Sequence, residues 1–324
     1  MRILCHMMTG YPQLAALVGE HPEVVLIEAD SEPAVISGLG DCEAFIAFAG
    51  RYTSAVAAAV NRAPRLRWLH FVTAGIDPLW DHPPPAHIQI SSGGAVWATS
   101  VAEHALAMAL GLVRRIAQAE RDRAARCWGR EAMVAQLDSL RGRRILIVGF
   151  GAIGKAIADL LRPFEATLVA VASRAREQDG VRVVAREQLR EVLPQSEIVF
   201  VAMPLTPDTR HLLDAQALAL LPAGAALINV ARGGLLDERA LLASLREGRC
   251  QAALDVFSRE PLPADHPLWT LPNVILTPHV AGFGDPHLAE RVARVCHDNL
   301  SDVLAGRAPR DKVAATQLPR SGDD

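Results

Sequence analysis

Four polar side chains stand where apolar runs end. In "NVARGGLLDE" Arg232 comes directly after such a run. In "DVFSREP" Asp255 lies inside the end of another and Glu260 in the loop beyond it, and in "LTPHVAG" His279 closes a third. A guanidinium, two carboxylates and an imidazole can together bind an anion, stabilise a developing negative charge and move a proton. If the three runs are parallel strands, their C-terminal ends share one sheet edge, so residues distant in sequence become neighbours. Taken singly, Arg232 reads equally well as a surface ion pair, Glu260 as a solvated loop acid and His279 as a hydrogen-bonded structural histidine. Their convergence beside a nucleotide turn favours chemistry.

That turn lies upstream, in "RILIVGFGAIG". A short apolar strand enters G-x-G-x-x-G at Gly149, Gly151 and Gly154, and the helical pattern "KAIADLLRPF" follows. The first glycine makes the tight turn, the second lets backbone approach a pyrophosphate, and the third lets helix and strand pack closely. The anion then rests on unpaired N–H groups at the helix N-terminus, at Ala152 and Ile153. The next strand ends in "VAVASRARE", with Ser173, Arg174 and Arg176 and no acid before Glu177. A site selecting NAD carries an acid roughly 20 residues past the glycines to accept from the ribose 2′-OH. An arginine there suits a 2′-phosphate, a charge-assisted contact of about 1.5–3 kcal/mol. NADPH is therefore the preferred cofactor, with NADH as the other option.

The elements that must carry these residues alternate strand and helix, without internal repeats or low-complexity segments. "RILCHM", "VVLIEA", "AFIAFAG" and "RWLHFV" read as buried strands of a first part, and the prolines of "DHPPPAH" exclude regular structure there. A long helical pattern over 98–120 follows, with Thr99 or Ser100 as its N-cap and Glu103 completing a box with Ser100. After the glycine turn, strands are expected at 166–172, 197–203, 225–231, 251–257 and 274–279, with helices at 187–193, 214–221 and 238–247. The pattern "DPHLAERVARVCHDNLSDVLAG" returns the chain to the first part and leaves a polar tail. The expected fold class is α/β, two Rossmann-like domains with parallel sheets and the active site in the cleft between them. Residues 1–97 plus 285–324 form a substrate-binding domain, and 98–284 a dinucleotide-binding domain.

Composition narrows the function classes. The 324 residues are 50% apolar and 21% charged, with a net charge of −3, enough for two ordinary cores and without a basic field for nucleic acid or anionic membrane. The arginines of "RRIAQAERDRAARCWGR" are interleaved with Glu120 and Asp122, as on a solvated or interface helix face. Five scattered cysteines with no C-x-x-C pair point to reduced thiols in a cytoplasm and away from a zinc site. The apolar run "ALAMALGLV" falls short of the roughly 20 residues of a membrane span, and the N-terminus lacks a signal peptide's apolar segment. No H-E-x-x-H or carboxylate cluster suggests a metal. The only lysines are Lys155 and Lys312, neither placed for covalent chemistry.

The chain resembles the D-2-hydroxyacid dehydrogenase family, in particular its glyoxylate and hydroxypyruvate reductase branch. The resemblance rests on "VTAGIDPL", "SVAEHALA", "VGFGAIG", "PLTPDTRHLL", "NVARGGLLDE", "DVFSREP" and "HPLWTLPNVILTPHVAG", in family order over about two thirds of the chain. It implies that Arg232 binds the substrate carboxylate and carbonyl, that His279 donates the proton and that Glu260 pairs with it. It gives Asp255 the nicotinamide amide, Pro204 and Thr209 the nucleotide cleft, and the backbone of Ala74 and Gly75 the substrate carboxylate. It further implies a homodimer joined through the cofactor domains, with the long helix after residue 98 exchanged. Glu165 departs from the family, which commonly has glycine there. The chemistry is coherent in itself: an alkoxide developing from a 2-keto acid needs a positive charge and a proton source, which Arg232 and His279 supply. Arg51, Tyr52, the "HMM" loop at 6–8 and Trp97 are candidates for contacting the substrate side chain, against a reading as packing or surface. A phosphoglycerate dehydrogenase-like enzyme and a non-catalytic, dinucleotide-sensing corepressor-like protein remain as alternatives.

Overall fold

In the computed structural model, which describes residues 1–313, the apolar runs become strands of two parallel sheets. The far end of the polar tail, from residue 314, lies outside the described residues. The chain divides into two compact units, Met1–Trp97 with the chain from Gly284 onward, and Ala98–Phe283.

Among its described residues the first unit carries five strands: β1 Arg2–His6, β2 Val25–Glu28, β3 Ala44–Ala47, β4 Trp68–Phe71 and β5 Gln89–Ser92. They pair in the order β2-β1-β3-β4-β5, all parallel. β3 and β4 are buried at every position, the continuous pattern of strands covered on both faces. β5 is an element the sequence reading omitted, because "QISS" offers no apolar run. It is held by polar contacts instead: Ser91 Oγ takes the Trp68 Nε1–H at 2.8 Å and meets His70 Nδ1 at 2.8 Å. The helix Leu288–Leu304 packs on the helix Tyr11–Val18 within this unit.

The second unit contains β6 Arg144–Val148, β7 Thr167–Ala172, β8 Arg176–Gln178, β9 Val181–Ala185, β10 Ile198–Val201, β11 Ala225–Asn229, β12 Cys250–Leu254 and β13 Val274–Leu276. Their order is β13-β12-β11-β10-β6-β7-β9-β8, parallel throughout except for β8, which runs antiparallel to β9. That edge hairpin was not expected. It turns at Asp179 and Gly180, both at positive φ, the conformation a tight two-residue turn requires.

Local backbone chemistry corrects three other expectations. The helical pattern over 98–120 is two helices, Ala98–Val113 and Ile116–Ala124, broken where Arg115 takes φ 57°. The first begins at Ala98, directly after the 3-10 turn Gly94–Trp97, so neither Thr99 nor Ser100 caps it; the Ser100 hydroxyl is buried without a partner. The expected helix at 187–193 is three short turns, Arg186–Gln188, Leu189–Val192 and Leu193–Gln195, the last opening with Pro194 near its start. The stretch Gly94–Val113 reaches 20 residues and passes, by length and composition, for a membrane span, longer than the sequence reading allowed. With 61% of its most apolar window buried inside the protein, it serves as a core helix.

Candidate active site

The glycine turn connects β6 to the helix Ala152–Leu161. Gly149 has φ +105°, and a Cβ there would sit 2.6 Å from the backbone of Ala202 and Met203 on the neighbouring strand end. A Cβ on Gly154 would lie 2.0 Å from the Gly149 carbonyl oxygen. Both glycines are therefore required by the fold. Gly151 is not: a Cβ there would meet nothing within 4 Å. The fold leaves open the one glycine position assigned to ligand approach, next to the first N–H groups of the helix, at Ala152 and Ile153. This geometry fits the pyrophosphate of a dinucleotide.

At the end of β7, Ser173 and Arg174 are exposed. Arg176 folds back on the same segment, its Nε donating to Gln178 Oε1 at 2.8 Å and its Nη1 to the Arg174 carbonyl at 3.1 Å. Arg176 thus braces the loop, and Arg174 extends from it. Beyond β10, Thr209 is buried and spends its hydroxyl on the loop itself, donating to the Pro204 carbonyl at 2.8 Å and accepting from Thr206 N–H at 2.7 Å.

Past β11, Arg232 leads into the 3-10 turn Gly233–Leu235. Buried Asn229 shapes the approach: its amide donates to the Arg232 carbonyl at 3.0 Å and its Oδ1 accepts from Ala231 N–H at 3.0 Å. Gly233 presses against the chain after β12, where a Cβ would lie 2.0 Å from the Phe257 carbonyl carbon. The Arg232 turn and the Phe257–Glu260 loop are in this way held face to face. Neither Asn229 nor Gly233 was singled out from sequence, although the "GG" after Arg232 is a visible trace of the close approach.

Glu260 and His279 meet directly: Oε2 lies 2.7 Å from His279 Nδ1, while Oε1 accepts the Phe257 N–H at 3.0 Å. Partial burial raises the Glu260 carboxyl, but the hydrogen bonds from His279 and Phe257 and the charges of His279 and Arg232 outweigh it and hold the group below the usual carboxylate range. The His279 side chain is 46% exposed, so the ring is reachable. Its backbone has φ +54°, a conformation costly for a residue with a Cβ.

Asp255 sits inside the same turn, fully buried. Its carbonyl accepts the His279 N–H at 2.8 Å, its Oδ1 accepts the Val280 N–H at 2.9 Å and the Thr277 hydroxyl at 2.6 Å, and its Oδ2 accepts the Ala281 N–H at 3.0 Å. Next to the Glu260–His279 pair opens a hollow of about 670 Å³ lined by Phe257, Pro261, Leu262, Trp269, Leu276 and Pro278.

The structure thus brings Arg232, Asp255, Glu260 and His279 to the same sheet edge as the glycine turn. Ala74 and Gly75 belong to the first unit, in the loop after β4, where the Thr73 hydroxyl donates to the Gly75 carbonyl at 3.0 Å. Three of the four side-chain candidates there have structural work, while Met8 of the 6–8 loop is exposed. Trp97 is buried and donates to the Val72 carbonyl at 2.6 Å, Tyr52 packs edge-on against Phe71, and Arg51 reaches the Met7 carbonyl at 3.4 Å. Among the described residues no group of three or more His, Cys, Asp or Glu could hold a metal.

A family model described as "D-isomer specific 2-hydroxyacid dehydrogenase, NAD binding domain" matches residues 106–281. The chain is 32% identical to a glyoxylate reductase of Aeropyrum pernix over 263 residues, 78% of each chain. It is 30% identical to a D-3-phosphoglycerate dehydrogenase of Mycobacterium leprae over 92% of its own length but only 56% of that longer protein. Among solved structures, a D-isomer specific 2-hydroxyacid dehydrogenase from Xanthobacter autotrophicus, in complex with NADPH and MES, superposes with a TM-score of 0.81 at 28% identity, covering 97% of this chain and 98% of that one.

Proposed function

Because the chain belongs to the D-isomer specific 2-hydroxyacid dehydrogenase family, we propose that it reduces a small 2-keto acid, of the glyoxylate or hydroxypyruvate type, to the D-2-hydroxy acid with NADPH as preferred donor. The observation that carries this reading is the 2.7 Å His279–Glu260 pair beside Arg232, on the edge where the glycine turn opens.

A carboxylate can only accept, so the proton between Glu260 and His279 belongs to Nδ1. Nε2 is then the ring atom that carries the proton to be transferred, and Glu260 fixes the ring's orientation. The nicotinamide, when bound, supplies the hydride. As negative charge develops on the substrate's carbonyl oxygen, the Arg232 guanidinium stabilises it and His279 Nε2–H protonates it. The ring is left as the Nδ1–H tautomer, still oriented by Glu260. Gly149, Gly151, Gly154, Ala152 and Ile153 would hold the pyrophosphate, Ser173 and Arg174 the 2′-phosphate, the 204–209 loop the nucleotide, and Asp255 the carboxamide. In this reading the first unit is the substrate-binding domain, and the backbone of Ala74 and Gly75 takes the substrate carboxylate.

The reading includes a homodimer through the second unit. Ile116, Val134 and Trp128, the last 90% exposed, leave an apolar set uncovered on the segment after residue 113. It also includes a cytoplasmic setting, in keeping with five free cysteines. Light scattering of the purified chain tests the first, and fractionation the second.

The decisive experiment is a panel of 2-keto acids, with a phosphorylated keto acid among them, assayed with NADPH and NADH. Turnover of glyoxylate or hydroxypyruvate with NADPH is expected. Arg174→Asp should lower NADPH efficiency at least about tenfold, equivalent to about 1.4 kcal/mol, with less effect on NADH. Preference for the phosphorylated acid would redirect the assignment, and no turnover on any acid would favour the sensor.

A further inference from the structure

The Asp255 carboxylate gathers the backbone of the His279 turn, and one side chain decides how that carboxylate faces. Thr277 has a single hydroxyl proton. Its nearest acceptor is Asp255 Oδ1 at 2.6 Å; Met108 Sδ, at 3.9 Å, is a far weaker one. With the proton committed to the carboxylate, the Thr277 oxygen accepts, and its partner is His104 Nε2 at 3.0 Å. His104 therefore carries its hydrogen on Nε2. That same nitrogen lies 3.6 Å from Asp255 Oδ1, close enough to take the carboxylate if the hydroxyl were gone.

We infer that Thr277 is a positioning residue for His279: its hydroxyl stands between His104 and Asp255, and so keeps the Asp255 carboxylate turned toward the N–H groups of Val280 and Ala281. The inference rests on the reading of His279 as proton donor. His279 occupies a left-handed backbone conformation, which persists only where its surroundings over-determine it. The restraints are the N–H groups of residues 279, 280 and 281, all converging on Asp255. Removing the hydroxyl leaves Oδ1 with the Val280 N–H alone and opens it to the Nε2–H of His104. A carboxylate that swings toward His104 loosens the turn, and the imidazole loses its aim at the reacting oxygen while its partner Glu260 and the glycine turn stay in place. Thr277 touches no reacting atom; it acts through Asp255.

The test uses the full chain with NADPH and glyoxylate, comparing Thr277→Val, Thr277→Ser and Thr277→Cys with His279→Gln. Valine matches threonine in shape and removes only the hydroxyl. Thr277→Val is expected to lower kcat about tenfold, the scale of a misaimed catalytic group, with KM for glyoxylate within twofold of the unsubstituted chain; Kd for NADPH rises only by what the turned Asp255 carboxylate gave the carboxamide. Thr277→Ser, which restores the hydroxyl, should return kcat to within twofold. Thr277→Cys, with a weaker donor of similar size, should fall between, and it decides the matter if the valine variant does not fold. Unchanged kcat in the valine variant, or in the cysteine variant if valine does not fold, overturns the inference when His279→Gln is inactive. So does a kcat lost equally with serine and valine. An active His279→Gln variant removes the proton-donor reading itself, and the inference with it.

Discussion

Both parallel sheets carry histidines at or near their strand ends, and the two regions treat them oppositely. In the first unit His6 is buried with Nδ1 2.7 Å from the Ala29 carbonyl, and His70 is wholly buried against Ser91. Burial pushes His70 down to about 3, so it is neutral at any ordinary pH. In the second unit His279 is half-exposed and faces a carboxylate. One topology thus gives a packed polar core in one sheet and an exposed, charge-bearing edge in the other. What differs is whether the histidine is answered by a buried neutral group, a backbone carbonyl for His6 and the Ser91 hydroxyl for His70, or by a charged side chain with access to solvent.

The sharpest way to break this comparison is to make the same substitution on both sides. His279→Gln should lower kcat for keto-acid reduction by about 10² to 10⁴, the range for a lost general acid. His70→Gln should leave kcat within about twofold below the unfolding temperature and act on stability alone, at roughly 1–3 kcal/mol for disturbing a buried hydrogen-bonded group. His70 also gives stability a pH dependence. Its folded value is depressed, so between about pH 6.5 and 3 the unfolded chain binds a proton that the folded chain refuses. Stability attributable to His70 is full above that window and falls as pH drops through it, by up to about 1.4 kcal/mol per pH unit. Chemical denaturation across this range, on the chain with and without His70→Gln, reads the difference. Turnover lost equally by both histidine variants would erase the distinction between the regions.

The glycines sharpen it within the second unit. Gly154→Ala places a Cβ 2.0 Å from a carbonyl oxygen and should prevent soluble expression or cost several kcal/mol, as overpacking against backbone does. Gly151→Ala meets no protein atom within 4 Å. Its melting temperature should be unchanged while the Kd for NADPH rises about tenfold or more, a loss of roughly 1.4 kcal/mol. Equal affinities by fluorescence titration would mean that the phosphates do not approach there.

A smaller effect concerns protons. Glu260 is held below the usual carboxylate range, so its charge is present through neutral pH and is lost only as pH falls through that lowered value; the stability it contributes follows the same course. Glu260→Gln keeps a hydrogen-bonding side chain and deletes the charge. The high-pH limb of kcat/KM for reduction should then move to lower pH, under conditions where chemistry limits the rate. Superimposable limbs would deny Glu260 its influence on the proton donor.

The smallest effect lies away from both sites. Glu165 holds φ +54° where glycine is at ease, and its ion pair with Arg141 at 2.7 Å is exposed on both partners. Relief of the backbone, about 1 kcal/mol, outweighs an exposed pair of about 0–1 kcal/mol. Glu165→Gly should raise the melting temperature by about 1–2 °C, as calorimetry would show.

The positions of the candidate site residues at one sheet edge were legible in the sequence. Arg232, Glu260 and His279 follow apolar runs, and the glycine pattern declares its turn. Residues that act through backbone were not. Asn229 and Gly233 shape the Arg232 turn, and Thr277 and His104 flank Asp255, yet none differs in type from ordinary strand-end and helix residues. The fold shows the same division. Continuous apolar strands were readable, whereas β5, with its serines, and the β8–β9 hairpin, rich in charge, are made by neighbours that one-dimensional patterning does not reveal. The break at Arg115 has no local signal, because arginine is a good helix former.

The order of the larger sheet has a consequence for how such a protein changes over generations. The residues proposed to choose the nucleotide lie past β7, at the flank that ends in the β8–β9 hairpin, while those proposed to do the chemistry follow β11, β12 and β13 on the other flank, with β6 and β10 between. A lineage can therefore rewrite residues 173–180, at the edge where β8 is the outermost strand among the described residues, without disturbing the turn that aims His279. Changes in cofactor choice and changes in catalysis are open to selection separately, each without first passing through a variant that has lost the other.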